Sequence, residues 1–165
     1  MRIIKLLLLA CTFVTISAKS QTDNYLLVHS NAPVQFDKIT AATVRNAVNN
    51  VIKLSDERIK KITAVNANAH TVTNTLMAFD ELQYDLTDLG MKLGLLGSSY
   101  VNDSARNAAN EEAGVLSEYA NNLLLNKDLY KALKEFSTSN NATALKPDEK
   151  KYLKETLIAF EKNGM

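Results

Sequence analysis

The run Thr71-Val72-Thr73-Asn74-Thr75-Leu76-Met77-Ala78-Phe79-Asp80-Glu81-Leu82 opens a segment in which Leu76, Phe79, Leu82, Leu86, Leu89, Leu93 and Leu96 recur at steps of three and four. That spacing matches the turn of an α-helix and gathers all seven side chains on one face. Burying each of them gains roughly 1.5–3 kcal/mol, while ordering each backbone residue costs roughly 1–2 kcal/mol. Seven contacts therefore cannot hold the segment alone, and partner helices are required.

The flanking sequence supplies them. A helix is predicted from about Thr40 to Val65, with Val44, Val48, Val51, Ile52, Ser55, Ile59 and Ile62 on one side and polar residues opposite. Asn66 to His70 connects it to the second helix, from about Thr73 to Leu96, which Gly97-Ser98-Ser99 is expected to terminate. Asn102, Asp103 or Ser104 can cap a third helix, since each offers a short side-chain oxygen to a free N–H of the first turn. Its stripe is Ala105, Ala108, Ala109, Val115, Leu116, Tyr119, Ala120 and Leu123, small at first and bulky later. Asn126-Lys127-Asp128 bends the chain into a shorter helix bearing Leu129, Leu133 and Phe136, followed by a polar loop from Ser137 to Thr143. Pro147, Asp148 and Glu149 suit the start of a last helix, because proline lacks an N–H that would be unpaired there and acids complement the positive helix end. That helix places Leu153, Leu157 and Phe160 on one face. No stretch alternates with period two and no repeat of fixed length is present. The expected fold is all-α, an antiparallel bundle of about five helices.

The two ends read differently. Residues 1–20 have the pattern of an export signal: Arg2 and Lys5 at the start, an apolar core from Leu6 to Ile16, and Ala18-Lys19-Ser20 as a cleavage site before Gln21. A membrane-spanning helix needs roughly 20 apolar residues, and Lys19, Gln21 and Asp23 interrupt the run too early for an anchor. The expected location is therefore periplasmic or extracellular. Leu8-Leu9-Ala10-Cys11 also resembles a bacterial lipobox, although Leu6 to Ala10 is short against an apolar region of roughly 7–15 residues. Lipid anchoring through Cys11 is the lesser reading. Cys11 is the only cysteine, so cleavage at Gln21 leaves no thiol for a disulfide or a metal. Without Arg2, Lys5 and Lys19 the chain has 16 basic and 18 acidic residues, a formal charge of −2. The near-neutral balance argues against nucleic acid as a partner. Arg58, Lys60 and Lys61 lie among Asp56 and Glu57, and Lys146, Lys150, Lys151 and Lys154 among Asp148, Glu149 and Glu155, as on solvated helix faces. Residues 21–39 carry Pro33 and read as an extended N-terminal segment ahead of the helical region, 40–165.

Chemistry is sparse. A helical zinc peptidase site uses H-E-x-x-H, which puts two histidines on one side of a helix with a glutamate to activate water. This chain has only His29 and His70, in unrelated surroundings, and both read as surface or capping residues. Asp80, Glu81, Asp85 and Asp88 share a helix. Adjacent positions diverge, however, and the pair Glu81 and Asp85 lacks a histidine, so the group reads as a solvated polar face. Glu111 and Glu112 read as exposed. Tyr84, Tyr100, Tyr119, Tyr130 and Tyr152 read as core or interface residues, and there is no Gly-rich phosphate loop or serine triad pattern. Asn102-Asp103-Ser104 and Asn141-Ala142-Thr143 match the glycosylation triplet. A helical cofactor bundle would need haem-attachment cysteines or Glu-x-x-His ligand pairs, and neither occurs. No residue is assigned a catalytic, cofactor-binding or metal role.

Beyond the opening run, Asn24-Tyr25-Leu26-Leu27 and Pro33-Val34-Gln35-Phe36-Asp37-Lys38-Ile39 resemble the N-terminal region of the thimet oligopeptidase, oligopeptidase A and peptidyl-dipeptidase family of zinc metallopeptidases. Leu116-Ser117-Glu118-Tyr119, leading to Leu125-Asn126-Lys127-Asp128-Leu129-Tyr130, and Phe160-Glu161-Lys162-Asn163-Gly164-Met165 continue the resemblance in order. Tyr25 stands where the family commonly has proline, and Val72-Thr73 where it commonly has Phe-Glu. Export and the Asn-Gly-Met ending look more similar to the bacterial peptidyl-dipeptidase branch. The resemblance implies a large, mostly helical zinc enzyme that cleaves short peptides in a deep channel, its zinc motif far downstream. On that basis residues 40–165 are expected to be truncated, to form part of a channel wall and to be inactive alone, with a C-terminal catalytic region as the missing partner. The alternative from a different class is a freestanding helical interaction module of the bacterial envelope.

Overall fold

The computed structural model describes residues 24–27 and 34–165. The export signal, Cys11 and His29 lie outside the described residues. Among the described residues all regular structure is helical, built on five α-helices: α1 (Ala41–Thr63), α2 (Ala78–Ser99), α3 (Asp103–Leu123), α4 (Lys127–Thr138) and α5 (Pro147–Lys162). The all-α bundle expected from the periodicity is the observed fold.

Each start has a local cause. The side chains of Thr40, Asn102 and Asn126 accept hydrogen bonds from the N–H groups of Thr43, Ala105 and Leu129, satisfying donors that the first helical turn leaves free. At α5, Pro147 occupies the first turn and Glu149 accepts from the Lys146 N–H at 2.8 Å. α2 is preceded by a π-helical turn over Val72–Met77. Thr71 and Asn74 cap that turn reciprocally: the Asn74 N–H donates to Thr71 Oγ1 (3.1 Å) and the Thr71 N–H to Asn74 Oδ1 (2.8 Å).

Gly97-Ser98-Ser99 does not end α2, which continues to Ser99 and stops where Tyr100 turns extended. Gly97 instead marks a close approach to α3. A Cβ there would lie 2.2 Å from Asn110 Oδ1, and the Asn110 amide donates to the Gly97 carbonyl at 3.3 Å. The hydroxyls of Ser98 and Ser99 donate to the Leu95 carbonyl.

The whole α2 stripe, from Leu76 to Leu96, is buried. α1 contributes Val44, Ala47, Val48, Val51, Ser55 and Ile62, with Ile52 and Ile59 half-buried. α3 packs against both α1 and α2 through Ala105, Ala108, Ala109, Leu116 and Leu123. Its small residues at the start let the neighbouring helices come close. Val115 is 48 % exposed, contrary to its place in the expected stripe: Leu116 takes the inward position, and adjacent helical residues point about 100° apart. α4 packs on α1 and α5 through Leu129, Ala132, Leu133 and Phe136. Phe160 of α5 joins the two groups of helices, its ring 6.0 Å from Phe79 of α2 and 5.9 Å from Tyr130 of α4.

The described N-terminal residues are tied onto this core. Leu26 is fully buried, the Asn24 amide donates to the Thr43 carbonyl (2.9 Å), and the Lys92 ammonium donates to the Leu26 carbonyl (3.0 Å). Tyr100 donates to the Ile39 carbonyl (3.1 Å) and also contacts the Phe36 carbonyl. Among the described residues no helix is long and apolar enough to cross a membrane.

The neighbouring pair on α3 gives a sharp test. Leu116→Asp, and likewise Leu86→Asp on α2, should each cost roughly 3–5 kcal/mol by leaving an uncompensated charge buried. Val115→Asp, one residue away but exposed, should stay within about 0.5 kcal/mol of wild type. Equal thermal unfolding of the two α3 variants would contradict the orientation of that helix.

Candidate functional site

The side chains that sequence reading weighed for chemistry are mostly engaged in holding helices together. Asp80 and Glu81 are exposed, as a solvated face requires, but Asp85 is only 8 % exposed and is ion-paired with Arg58 of α1. Its position explains this: Asp85 adjoins Leu86 at the border of the buried stripe, where α1 closes over it. Arg58 also lies 3.8 Å from Glu81, so it bridges two helices and does not sit on a solvated basic face. Asp88 pairs with Lys92 at 2.7 Å, one turn on. Glu111 is exposed and Glu112 half-buried, and both face Arg45 of α1, at 3.3 and 3.9 Å.

His70 is the largest departure. It is 1 % exposed and so not a surface residue, although it does stand at the C-cap of the 3-10 turn Ala67–Ala69. Its Nδ1 lies 2.9 Å from Thr75 Oγ1, its Nε2 lies 3.4 Å from Glu135 Oε2 of α4, and its carbonyl accepts from the Asn141 amide at 2.6 Å. Counted from the Thr71 cap, His70 immediately precedes the cap and Thr75 is the fourth helical residue. These are the two positions that a staple across a helix start brings together. That spacing was the available signal, filled here by a polar pair.

The order Thr75, His70, Glu135 has the outline of a nucleophile, base and orienting acid. It cannot act as one. Thr75 is fully buried, and its hydroxyl donates to Asn74 Oδ1 at 2.8 Å, so no substrate reaches the oxygen. His70 borders a polar cavity of about 480 Å³ together with Thr63, Asn66, Asp128, Lys131 and Glu135. This is a surface recess beside a clasp that joins the start of α2 to α4 and to the turn before α5. Asn141 is likewise part of the clasp, and Asn102 caps α3, so both glycosylation-triplet asparagines have structural roles.

The tyrosines are cross-links. Tyr119 of α3 donates to Asp56 of α1 (2.8 Å), Tyr152 of α5 to Gln83 of α2 (2.8 Å), and Tyr130 of α4 to Glu161 of α5 (3.0 Å). Burial foremost, then Asp56 or Asp80, pushes the phenols of Tyr119 and Tyr152 well above their ordinary value, while for Tyr130 the hydrogen bond to Glu161 is the main cause. Tyr84, expected in a core or interface, is 58 % exposed.

Among the described residues no three His, Cys, Asp or Glu side chains converge where they could hold a metal ion. A zinc site uses three or four such ligands, and both ring nitrogens of His70 already face Thr75 and Glu135. The described residues do not fit the zinc that the resemblance implies for a whole family member.

No protein-family model matches the chain. It is similar to a thimet-like oligopeptidase of Dictyostelium discoideum, 29 % identical over 113 residues. The match takes in 67 % of this chain and 17 % of that protein, so the chain spans about a sixth of the relative's length.

The phenols set an expected pH response. Their raised values mean that the folded state favours the neutral phenol. The stability they contribute is intact below the ordinary value of 10.0 and is lost as pH rises beyond it. Ultraviolet titration of the folded chain should therefore show three tyrosines ionising late, Tyr119, Tyr152 and Tyr130, and one fewer in each of Tyr119→Phe and Tyr152→Phe. Uniform titration near the ordinary value would refute the burial of these hydroxyls.

Proposed function

We propose that this chain is the N-terminal helical region of an exported zinc-dependent oligopeptidase, with residues 1–20 a cleaved signal, 21–39 an entry segment that includes a 3-10 turn at Phe36–Lys38 where an extended chain was expected, and 40–165 part of the substrate-channel wall. The observation that carries this reading is the 113-residue likeness to a thimet-like oligopeptidase, in a chain whose five helices match the all-α architecture that the resemblance implies. The small share of the relative that is matched leaves room for a catalytic half elsewhere. Zinc and short peptide substrates belong to the whole protein in this reading, and the catalytic region is the partner of these helices.

A wall suits what the residues do. Arg58 with Asp85, Tyr119 with Asp56 and the His70 clasp fix helices against one another, and a rigid side to a channel admits flexible peptides while excluding folded proteins. The freestanding interaction module remains the second reading, favoured by one observation: the buried residues of all five helices form a continuous core. Cooperative unfolding of residues 21–165 as a monomer, without exposed apolar surface, would support it.

The oligopeptidase reading expects the coding sequence after codon 165 to continue in frame to H-E-x-x-H within a helical context. Residues 21–165 alone should neither bind zinc stoichiometrically nor hydrolyse short peptides. Either activity in the isolated chain, or the absence of a continuation, would overturn the proposal.

A further inference from the structure

α5 sorts its charges by side. Lys150 and Lys154, which alternate in sequence with Asp148, Glu149 and Glu155, border a cavity of about 460 Å³ between α4, the 3-10 turn Asn140–Ala144 and α5, where Lys134 of α4 joins them. Asp148 and Glu149 border a different cavity, of about 400 Å³, on the side of α5 that meets Val72, Leu76 and Asp80. The floor of the basic cavity is apolar: Ala142, Leu145, Leu153 and Leu157 are buried and Ile158 is half-buried. The one described carboxylate on its border, Glu161, already accepts hydrogen bonds from Tyr130 (3.0 Å) and Lys134 (3.5 Å). Among the described residues no carboxylate lies within ion-pairing distance of Lys150 or Lys154.

Exposed lysines are ordinary on a surface. These two stand one turn apart on one helix, a spacing at which like charges repel and weaken it. An anion held between them would relieve that repulsion, and an apolar body attached to the anion would cover the floor. The cavity has the size of a small-ligand site, roughly 300–1,000 Å³. We propose that it binds the carboxylate of an acyl chain, the carboxylate at Lys150 and Lys154 and the chain along Leu145, Leu153 and Leu157. A peptide is the poorer occupant, because its N–H and C=O groups need hydrogen-bond partners and the lining has few to offer. The Ser137 hydroxyl donates to the Lys134 carbonyl (2.7 Å), and the N–H groups of Ala142 and Leu145 are bonded to the Ser139 and Ala142 carbonyls. The rest of the chain is also a poor match by charge: residues 1–23 and 28–33 carry Arg2, Lys5 and Lys19 against Asp23 alone, and a basic cavity repels such a balance. The oligopeptidase reading assigns no role to these lysines and does not depend on them.

The test is calorimetric titration of the 165-residue chain with decanoate. One saturable site is expected, its affinity falling roughly tenfold in Lys150→Gln/Lys154→Gln and staying within about twofold of wild type in Lys146→Gln/Lys151→Gln. The second pair removes the same net charge from lysines of the same region that do not border the cavity. All four side chains are exposed, so both variants should unfold at the wild-type temperature. No saturable binding, or an equal loss in the two pairs, would overturn the proposal. Decanol binding as tightly as decanoate would overturn it by leaving the carboxylate idle, and acetate binding as tightly would do so by leaving the apolar floor idle. Trileucine competing as well as decanoate would assign the cavity to peptides and overturn the acyl assignment.

Discussion

Burial of the α2 stripe is the constraint to which the rest of the bundle answers. Seven large side chains from Leu76 to Leu96 lie on one face, and no single neighbour can cover a face of that length. α1 and α3 close over it from two sides, and Phe160 brings α5 to its Phe79 end while meeting Tyr130 of α4. Small residues make the α3 contact feasible: Ala105, Ala108 and Ala109 let that helix approach closely, and Gly97 of α2 admits Asn110. The cost falls on polar residues at the border of the stripe. A polar group enclosed without a partner loses its hydration for nothing, so Asp85 meets Arg58, and His70 meets Thr75 and Glu135.

The same enclosure explains why the chain is poor in chemistry despite its many ionisable side chains. A catalytic acid, base or nucleophile has to reach a substrate with a lone pair or proton to offer. Here Thr75 is sealed, His70 faces partners at both nitrogens, and Tyr119, Tyr130 and Tyr152 each donate to an acceptor on another helix. These bonds span α1 to α3, α2 to α5 and α4 to α5, and so resist sliding of one helix past another.

The helices themselves were legible because burial is periodic, and periodic burial leaves its mark at every third or fourth position. The stripes of α2, α4 and α5 read from the sequence are buried as expected, as are most of those on α1 and α3. What escaped is set by rotation of one helix against another. One helical residue corresponds to about 100°, so Val115 and Leu116 could both be placed in a stripe, yet only one can point inward. Asp85 belongs to a polar face by the pattern of its own helix, which gives no sign that α1 passes over it. Gly97 was read as a stop because glycine ends helices more often than it marks a crossing, and only the position of Asn110 tells the two apart. No local pattern placed the candidate clasp, since Glu135 and Asn141 come from distant segments; only the His70 to Thr75 spacing was visible in advance.

The fragment and the freestanding module differ physically in one place. A continuous core is what a freestanding chain needs, and the surface of α2 is where the two readings make different demands. A freestanding chain would have to keep Met91, Leu95 and Phe36 against water, the last two bordering an apolar cavity, with no charge among the exposed positions from Leu89 to Ser99 to deter association. A domain embedded in a larger polypeptide meets no such penalty, because the same surface is covered as the rest of the protein folds. Solubility would favour a lysine or glutamate at position 91 or 95, positions whose exposure places no packing demand on their identity. Apolar side chains at both set this edge apart from the exposed side of α3, which carries Asp103, Glu111 and Glu118.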